Sequence, residues 1–183
     1  MVNMELKNLK GKCLLAMPNV QDRFFRSALV LVTSVDDFHV RGLIVNKPSD
    51  QLVSDILNQM NIDIGLGFED QRILHGGPVR RDRLYLSYFP RALTEQTMTP
   101  IFSNELEDLQ LIANSQGMRY IACVGECEWE HEQLCDEIAS NYWLIVSCSH
   151  DVLFDCDYND RVKLVLSRLG ISLEQLSSIS GRA

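Results

Sequence analysis

Short apolar runs in the first third of the chain predict β-strands. Residues 12–17 form a compact apolar run that ends at Pro18. Residues 27–33 and 40–46 are rich in Leu, Val and Ile and are separated by a polar turn at 35–38, which predicts an antiparallel hairpin.

After residue 46, the spacing of the apolar residues changes from that of a strand to that of a helix. Proline disfavours helix in the residue before it, so Lys47-Pro48 ends the strand. Ser49 or Asp50 is predicted to cap a helix that runs to residue 60, with apolar positions three and four apart. Residues 61–70 are predicted as a loop, and 72–74 and 83–89 as two more strands.

In the second half of the chain, segments with the apolar spacing of a helix alternate with segments that have the apolar spacing of a strand. We predict a helix that begins near Asn104 and Glu107 and stops by Gly117, a strand at 120–124, a helix at 130–139 and a strand at 142–148. Asp157 and Asp160 open a helix to 169, and a capping box of Ser172 and Gln175 opens a tail helix to 178. This order predicts an α/β or α+β domain with a mixed sheet.

Composition narrows the class of protein. The 183 residues are 46% hydrophobic and 23% charged, which fits one globular domain over residues 1–183. The net charge of -8 argues against general affinity for nucleic acid or anionic membranes. The sequence shows neither a secretory signal nor a membrane span, and six cysteines in that context predict reduced thiols in the cytoplasm.

Two clusters suggest metal sites, and both fit poorly. Cys127, His131 and Cys135 recur at every fourth position, but on one helix the two cysteines would lie about 12 Å apart, too far for one zinc ion. The acidic run from Asp151 to Asp160 matches only the first positions of a calcium-binding loop. We therefore expect no metal and no cofactor, although a redox or metal role for the three residues stays open.

The turn His75-Gly76-Gly77-Pro78 resembles the glycine-rich oxyanion loop of esterases. The sequence contains no Gly-x-Ser-x-Gly nucleophile motif, no P-loop and no Gly-x-Gly-x-x-Gly turn, so no catalytic residue is predicted. A tight turn or a backbone crossing that tolerates no side chain explains the two glycines better.

The basic residues after this turn are the strongest candidates for ligand contact. Arg80, Arg81 and Arg83 would hold a phosphate or carboxylate, or would form a solvated strand end. Asn46 and Lys47 would contribute if the two strand ends meet; otherwise Asn46 satisfies turn backbone and Lys47 is solvated. The candidate anion or ligand surface therefore consists of Asn46, Lys47, His75, Gly76, Gly77, Arg80, Arg81 and Arg83.

The chain resembles the YqgE/AlgH family of bacterial proteins along nearly its whole length. The matching segments, in order, are Leu15-Ala16-Met17-Pro18, Phe24-Phe25, Gly42 to Pro48, Gly76-Gly77-Pro78-Val79, Gln133-Leu134, Asp151-Val152-Leu153-Phe154-Asp155, Arg161 and Leu169-Gly170-Ile171. The family's glycine-rich turn around a tryptophan has lost most of its glycines here, at residues 125–132.

The resemblance implies a compact fold in which mixed, bent sheets curl into a pseudo-barrel with helices packed outside. It implies no established enzyme activity, although members are labelled transcriptional regulators. The acidic chain shows no basic recognition helix, so we expect any effect on transcription to pass through a protein or small ligand. We expect a non-catalytic binding or regulatory protein, and the alternative is an enzyme acting on a small anionic substrate at the same surface.

Overall fold

A computed structural model describes residues 6–89, 99–172 and 175–176 of the chain. The described residues form nine strands and four α-helices. The strands are β1 (Cys13–Ala16), β2 (Leu29–Val35), β3 (His39–Ile44), β4 (Pro48–Leu52), β5 (Arg72–His75), β6 (Val79–Tyr88), β7 (Ile101–Ser103), β8 (Tyr120–Glu130) and β9 (Trp143–Val146). The helices are α1 (Val53–Gln59), α2 (Leu106–Ala113), α3 (His131–Ala139) and α4 (Arg161–Arg168), and the predicted mixed α/β class is confirmed.

The long strand β8 organises the sheet. Its first half lies parallel to β5 and antiparallel to β6, and its second half is antiparallel to β3. Gly125, at the junction, has a φ of +77°, a conformation that glycine adopts without steric cost. β8 therefore joins two parts of a bent sheet, in the order β4-β5-β8-β3-β2-β1-β9. Among the described strands this path is open and does not close into a barrel.

Three apolar clusters hold the elements together. One packs α3 against the strands around Trp129, Trp143 and Leu134. A second packs α1 and α2 around Leu57 and Ile112, and the third lies under α4. Trp129, a residue of β8, is only 2% exposed and packs in the first of these clusters.

The hairpin of β2 and β3 and the helices at 131–139 and 106–113 agree with the prediction. The helix predicted from Ser49 or Asp50 is wrong at its start, because residues 48–52 pair with β5 as the exposed edge strand β4. The helix begins at Val53, where Asp55 accepts a hydrogen bond of 2.9 Å from the backbone N–H of Leu52.

Other predicted boundaries also move. The strand predicted at 120–124 extends to Glu130, and the strand predicted from residue 83 begins at Val79. The last helix begins at Arg161; Asp157 accepts a hydrogen bond from the backbone N–H of Asn159 at 2.9 Å and does not cap that helix. A short π-helical turn, Asp151–Asp155, was not predicted.

The capping box of Ser172 and Gln175 is confirmed by two reciprocal hydrogen bonds, of 2.8 and 3.1 Å. Most of the predicted tail helix lies outside the described residues. No helix in the described part of the chain is long and apolar enough to cross a membrane.

Candidate functional site

The two predicted strand ends do meet, through their backbones. The backbone N–H of His75 donates to the carbonyl of Lys47 at 2.8 Å, and that of Ile44 donates to the carbonyl of Gly76 at 2.8 Å. The β3 end and the Gly76-Gly77 turn are therefore neighbours, as the binding-surface hypothesis requires.

The side chains of Asn46 and Lys47 point to another part of the fold. The Asn46 side-chain amide donates to the carbonyl of Ser27 and accepts from the backbone N–H of Leu29, both at 2.8 Å. This confirms the alternative in which Asn46 satisfies backbone groups at a turn. The Lys47 Nζ donates to the carbonyl of Phe24 at 2.5 Å, and burial lowers the pKa of this lysine. Lys47 is therefore partly buried and bonded to backbone carbonyls, and is not fully solvated.

The two glycines lie inside a crossing of backbones. A Cβ atom on Gly76 would lie 2.2 Å from the carbonyl oxygen of Gly125, and one on Gly77 would lie 2.2 Å from the carbonyl carbon of Glu126. This confirms the prediction of a crossing that tolerates no side chain. His75, at the end of β5, is exposed.

The three arginines are separated by an irregularity in β6. The pairing of β6 with β8 shifts between Val79 and Leu84, and Arg80 has a φ of +46°. Such a bulge redirects side chains away from strict alternation. Arg81 lies 6.0 Å from the ring centroid of Phe24, while Arg80 and Arg83 line a cleft beside β3.

We call this the arginine cleft; it has a volume of about 870 Å³ and lies between β2, β3, β6 and residues 99–104. Its charged and phenolic lining consists of Lys10, Arg41, Arg80, Arg83, Tyr85 and Glu126. Of the eight residues in the predicted surface, Arg80 and Arg83 line it. The other six do not line this cleft.

A chain of ion pairs forms one wall of the cleft. Arg41 donates to Glu128 at 2.6 Å, and Arg80 bridges Glu128 at 3.1 Å and Glu126 at 2.7 Å. The Tyr85 hydroxyl donates to the same oxygen of Glu126 at 2.7 Å. Burial and this carboxylate raise the pKa of Tyr85 to about 12.

Two cations of the cleft take no part in this chain of ion pairs. Lys10 and Arg83 are exposed and form no ion pair within the described part of the chain. A guanidinium donates to carboxylate or phosphate oxygens in a planar fork, so Arg83 is available for an incoming anion.

The ion-pair wall predicts a measurable acid sensitivity. Burial alone would raise the pKa of Glu128, but its hydrogen bonds with Arg41 and Arg80 outweigh burial and lower it. Because the folded pKa is depressed, the stabilisation is present above the unfolded pKa of about 4.3 and is lost as the pH falls through the folded value. We expect Glu128→Gln to lose less free energy of unfolding between pH 6 and pH 3 than the wild type, measured by urea titration.

Glu130→Gln provides a matched control, because Glu130 is exposed on the same strand and forms no ion pair with any residue that the structure describes. This variant should keep the wild-type acid sensitivity. Identical pH profiles for Glu128→Gln and the wild type would contradict the assignment of the sensitivity to Glu128.

The structure does not place Cys127, His131 and Cys135 on one helix. Cys127 lies on β8 with its thiol 3.3 Å from the carbonyl of Gly76, whereas His131 and Cys135 lie on α3. Burial raises the pKa of Cys127, which disfavours the thiolate that a metal requires. Among the described residues, no three His, Cys, Asp or Glu side chains converge to hold a metal ion.

Fold and site together define a mixed α/β protein built on one shared long strand, with a charged cleft beside that strand. The sequence profile of the AlgH-like family matches residues 13–174. The chain belongs to this family, as its motifs indicated.

Relatives and solved structures agree with this assignment. A UPF0301 protein of Shewanella woodyi is 30% identical over 191 residues, which cover 97% of this chain and all of that protein. The solution structure of AlgH from Pseudomonas aeruginosa is similar with a TM-score of 0.72 at 27% identity, covering 96% of each chain. A Corynebacterium diphtheriae protein shares the fold, with a TM-score of 0.71 at 17% identity over 98% of this chain and 99% of its own. These similarities assign no specific reaction or ligand.

Proposed function

We propose that the protein is a non-catalytic binding protein that holds a small anionic ligand in the arginine cleft. The observation that carries this proposal is the pair of exposed cations, Lys10 and Arg83, on a cleft whose wall already fixes two further arginines. The two ion-paired arginines, Arg41 and Arg80, lose little freedom on binding, and Lys10 and Arg83, which form no ion pair with the described residues, supply the charge that an anion needs.

The chain as a whole is acidic, with a net charge of -8. A locally cationic cleft on such a surface favours small anions over extended polyanions, which the surrounding carboxylates repel. We therefore expect direct binding to nucleic acid to be absent. A regulatory role would then follow from ligand occupancy and pass through a protein partner.

The competing hypothesis is an enzyme that acts on a small anion in the same cleft. Acid–base catalysis needs a group that titrates near the working pH. The pKa of Tyr85 is about 12, Glu126 is committed to Arg80 and Tyr85, and His75 does not line the cleft. These features favour binding over catalysis.

We propose the cytoplasm as the compartment. The six cysteines are all free thiols, three of them buried, and free thiols persist in a reducing compartment.

Arg83→Ala tests the proposal. Citrate and inorganic pyrophosphate are suitable probes because both are compact multivalent anions. In isothermal titration calorimetry at about 0.15 M ionic strength, where the Debye length is about 8 Å, we expect at least one of them to bind the wild type and to bind Arg83→Ala about 10-fold more weakly, since one charge-assisted contact is lost.

Arg81→Ala is the matched control, with the same change of charge two residues away and outside the cleft lining. It should bind within about 2-fold of the wild type, because long-range charge effects are largely screened. Failure of both probes to bind, or equal weakening in the two variants, would refute the cleft as the site. Chemical conversion of a bound anion by the wild type would favour the enzyme instead.

A further inference from the structure

Arg161, the first residue of α4, is a buried cation that forms no ion pair with any carboxylate of the described residues. It is 6% exposed, and its Nη1 donates to the carbonyl of Val45. Its Nε is buried and has no hydrogen-bond partner, and no carboxylate forms an ion pair with it in the described part of the chain. Arginine is rarely buried without compensation, because removing its charge from water is costly. The same removal of the charge from water lowers the pKa of Arg161.

Arg161 lines a second pocket, of about 460 Å³, which we call the Arg161 pocket. This volume is in the range of small-molecule sites. The pocket shares no lining residue with the arginine cleft. Arg72, an exposed side chain of β5, is the second cation on its wall.

Three aspartates also line the pocket, and each is held by a local partner. Asp155 pairs with Arg119 at 2.7 Å, Asp157 accepts from Asn159 at 2.9 Å, and Asp70 accepts from the hydroxyl of Ser54 at 2.5 Å. Asp157 acts electrostatically on Arg161 without an ion pair between them among the described residues, and the charges of the three aspartates oppose the entry of a dianion. The surroundings therefore favour a ligand with a single negative charge.

Apolar side chains form part of the remaining wall. Leu74, Ile121 and Phe154, each no more than 9% exposed, contribute to it together with Leu52. We propose that the Arg161 pocket binds a small molecule with one carboxylate on an apolar body. The carboxylate accepts hydrogen bonds from the Arg161 guanidinium, Arg72 adds positive charge, and the apolar body lies against Leu74, Ile121 and Phe154.

Nitrogen-15 NMR of the arginine side chains tests this directly on the wild-type protein. The Nε–H signal of Arg161, identified by its loss in Arg161→Lys, is followed during titration with hexanoate, hexan-1-ol, phosphate and chloride at constant ionic strength. We expect a saturable shift with hexanoate alone. The Nε–H signal of Arg168, an exposed residue paired with Asp151, should not shift.

The absence of a saturable shift with hexanoate would overturn the proposal. Equal shifts with hexanoate, phosphate and chloride would also overturn it, because they would indicate a general ionic effect. A shift with hexanol equal to that with hexanoate would show an apolar pocket without carboxylate recognition, again against the proposal.

Two variants test the same site by calorimetry with hexanoate. Arg161→Lys keeps the charge and one donor for Val45 but loses the planar fork, so we expect binding at least 10-fold weaker, with Arg168→Lys unchanged. Arg72→Ala, at an exposed position, should bind at least 3-fold more weakly and tests the pocket even if Arg161→Lys fails to fold. Arg83→Ala should bind hexanoate normally, which separates this pocket from the arginine cleft.

Discussion

Gly76→Ala is expected to destabilise the fold by at least about 4 kcal/mol and to leave little folded protein at 37 °C. The added Cβ would lie 2.2 Å from the carbonyl oxygen of Gly125 and 2.8 Å from the Cβ of Cys123. Because the first of these atoms is backbone, no side-chain rotation relieves the clash. Urea unfolding followed by circular dichroism measures the loss.

The large loss of stability expected for Gly76→Ala follows from the backbone hydrogen bonds that Gly76 makes to two strands. The Gly76 carbonyl accepts from the N–H of Ile44 at 2.8 Å, and its N–H donates to the carbonyl of Val124 at 2.9 Å. Strands β3, β5 and β8 therefore depend on the same peptide units. A shift of the backbone large enough to admit a methyl group breaks the pairing on both sides.

Gly117→Ala is the matched control for this substitution. Gly117 has a φ of +66°, and a Cβ there would meet nothing within 4 Å. Its cost should be the conformational one alone, about 1 kcal/mol. Similar losses for the two variants would contradict a steric origin for the requirement at Gly76.

Elements with a strong hydrophobic period were predictable from the sequence. The hairpin of β2 and β3 and helix α3 follow from apolar spacing, and a buried face enforces that spacing. β4 carries no such signal, because four of its five residues are exposed and only pairing with β5 makes it a strand. Pro48 at its start is compatible with an edge strand, where a missing N–H costs little.

The extension of β8 did have a signal. Glu126, Cys127, Glu128, Trp129 and Glu130 alternate strictly between acidic and apolar, which is the period of a half-buried strand. The tryptophan-containing segment resembles a glycine-rich turn of the family, and that resemblance points away from a strand. Here the alternation in this chain's own residues is the better guide.

The candidate site was predictable only in part. Arg80 and Arg83 stand out as a basic run, but the bulge that directs them into the arginine cleft depends on pairing with β8. Their partners are distant in the sequence: Glu126 is 46 residues from Arg80, and Glu128 is 87 residues from Arg41. Only the strand register brings these charges together. Arg161 is a similar case, because only the folded structure shows that no carboxylate of the described residues pairs with it.

The register makes the pair of Arg80 and Glu126 energetically coupled, and a double-mutant cycle should detect this. Glu126 is 5% exposed, so Arg80→Ala leaves a buried carboxylate whose one remaining hydrogen-bond partner among the described residues is the Tyr85 hydroxyl. We expect a loss of about 2 kcal/mol for this variant, because uncompensated charge in the interior is costly. Both Arg and Ala carry the strain of the positive φ at this position, so backbone strain cancels in the comparison.

Glu126→Gln removes the charge but keeps an acceptor for Tyr85. In the double variant Arg80→Ala/Glu126→Gln, the loss should therefore be about 1 kcal/mol smaller than the sum of the two single losses. Arg119→Ala and Asp155→Asn form the control cycle, since their side chains are 50% and 42% exposed and their losses should nearly add. Additive losses at Arg80 and Glu126 would mean that solvent screens this pair as it screens a surface pair. The arginine cleft would then lack the rigid charged wall on which its proposed affinity for anions depends.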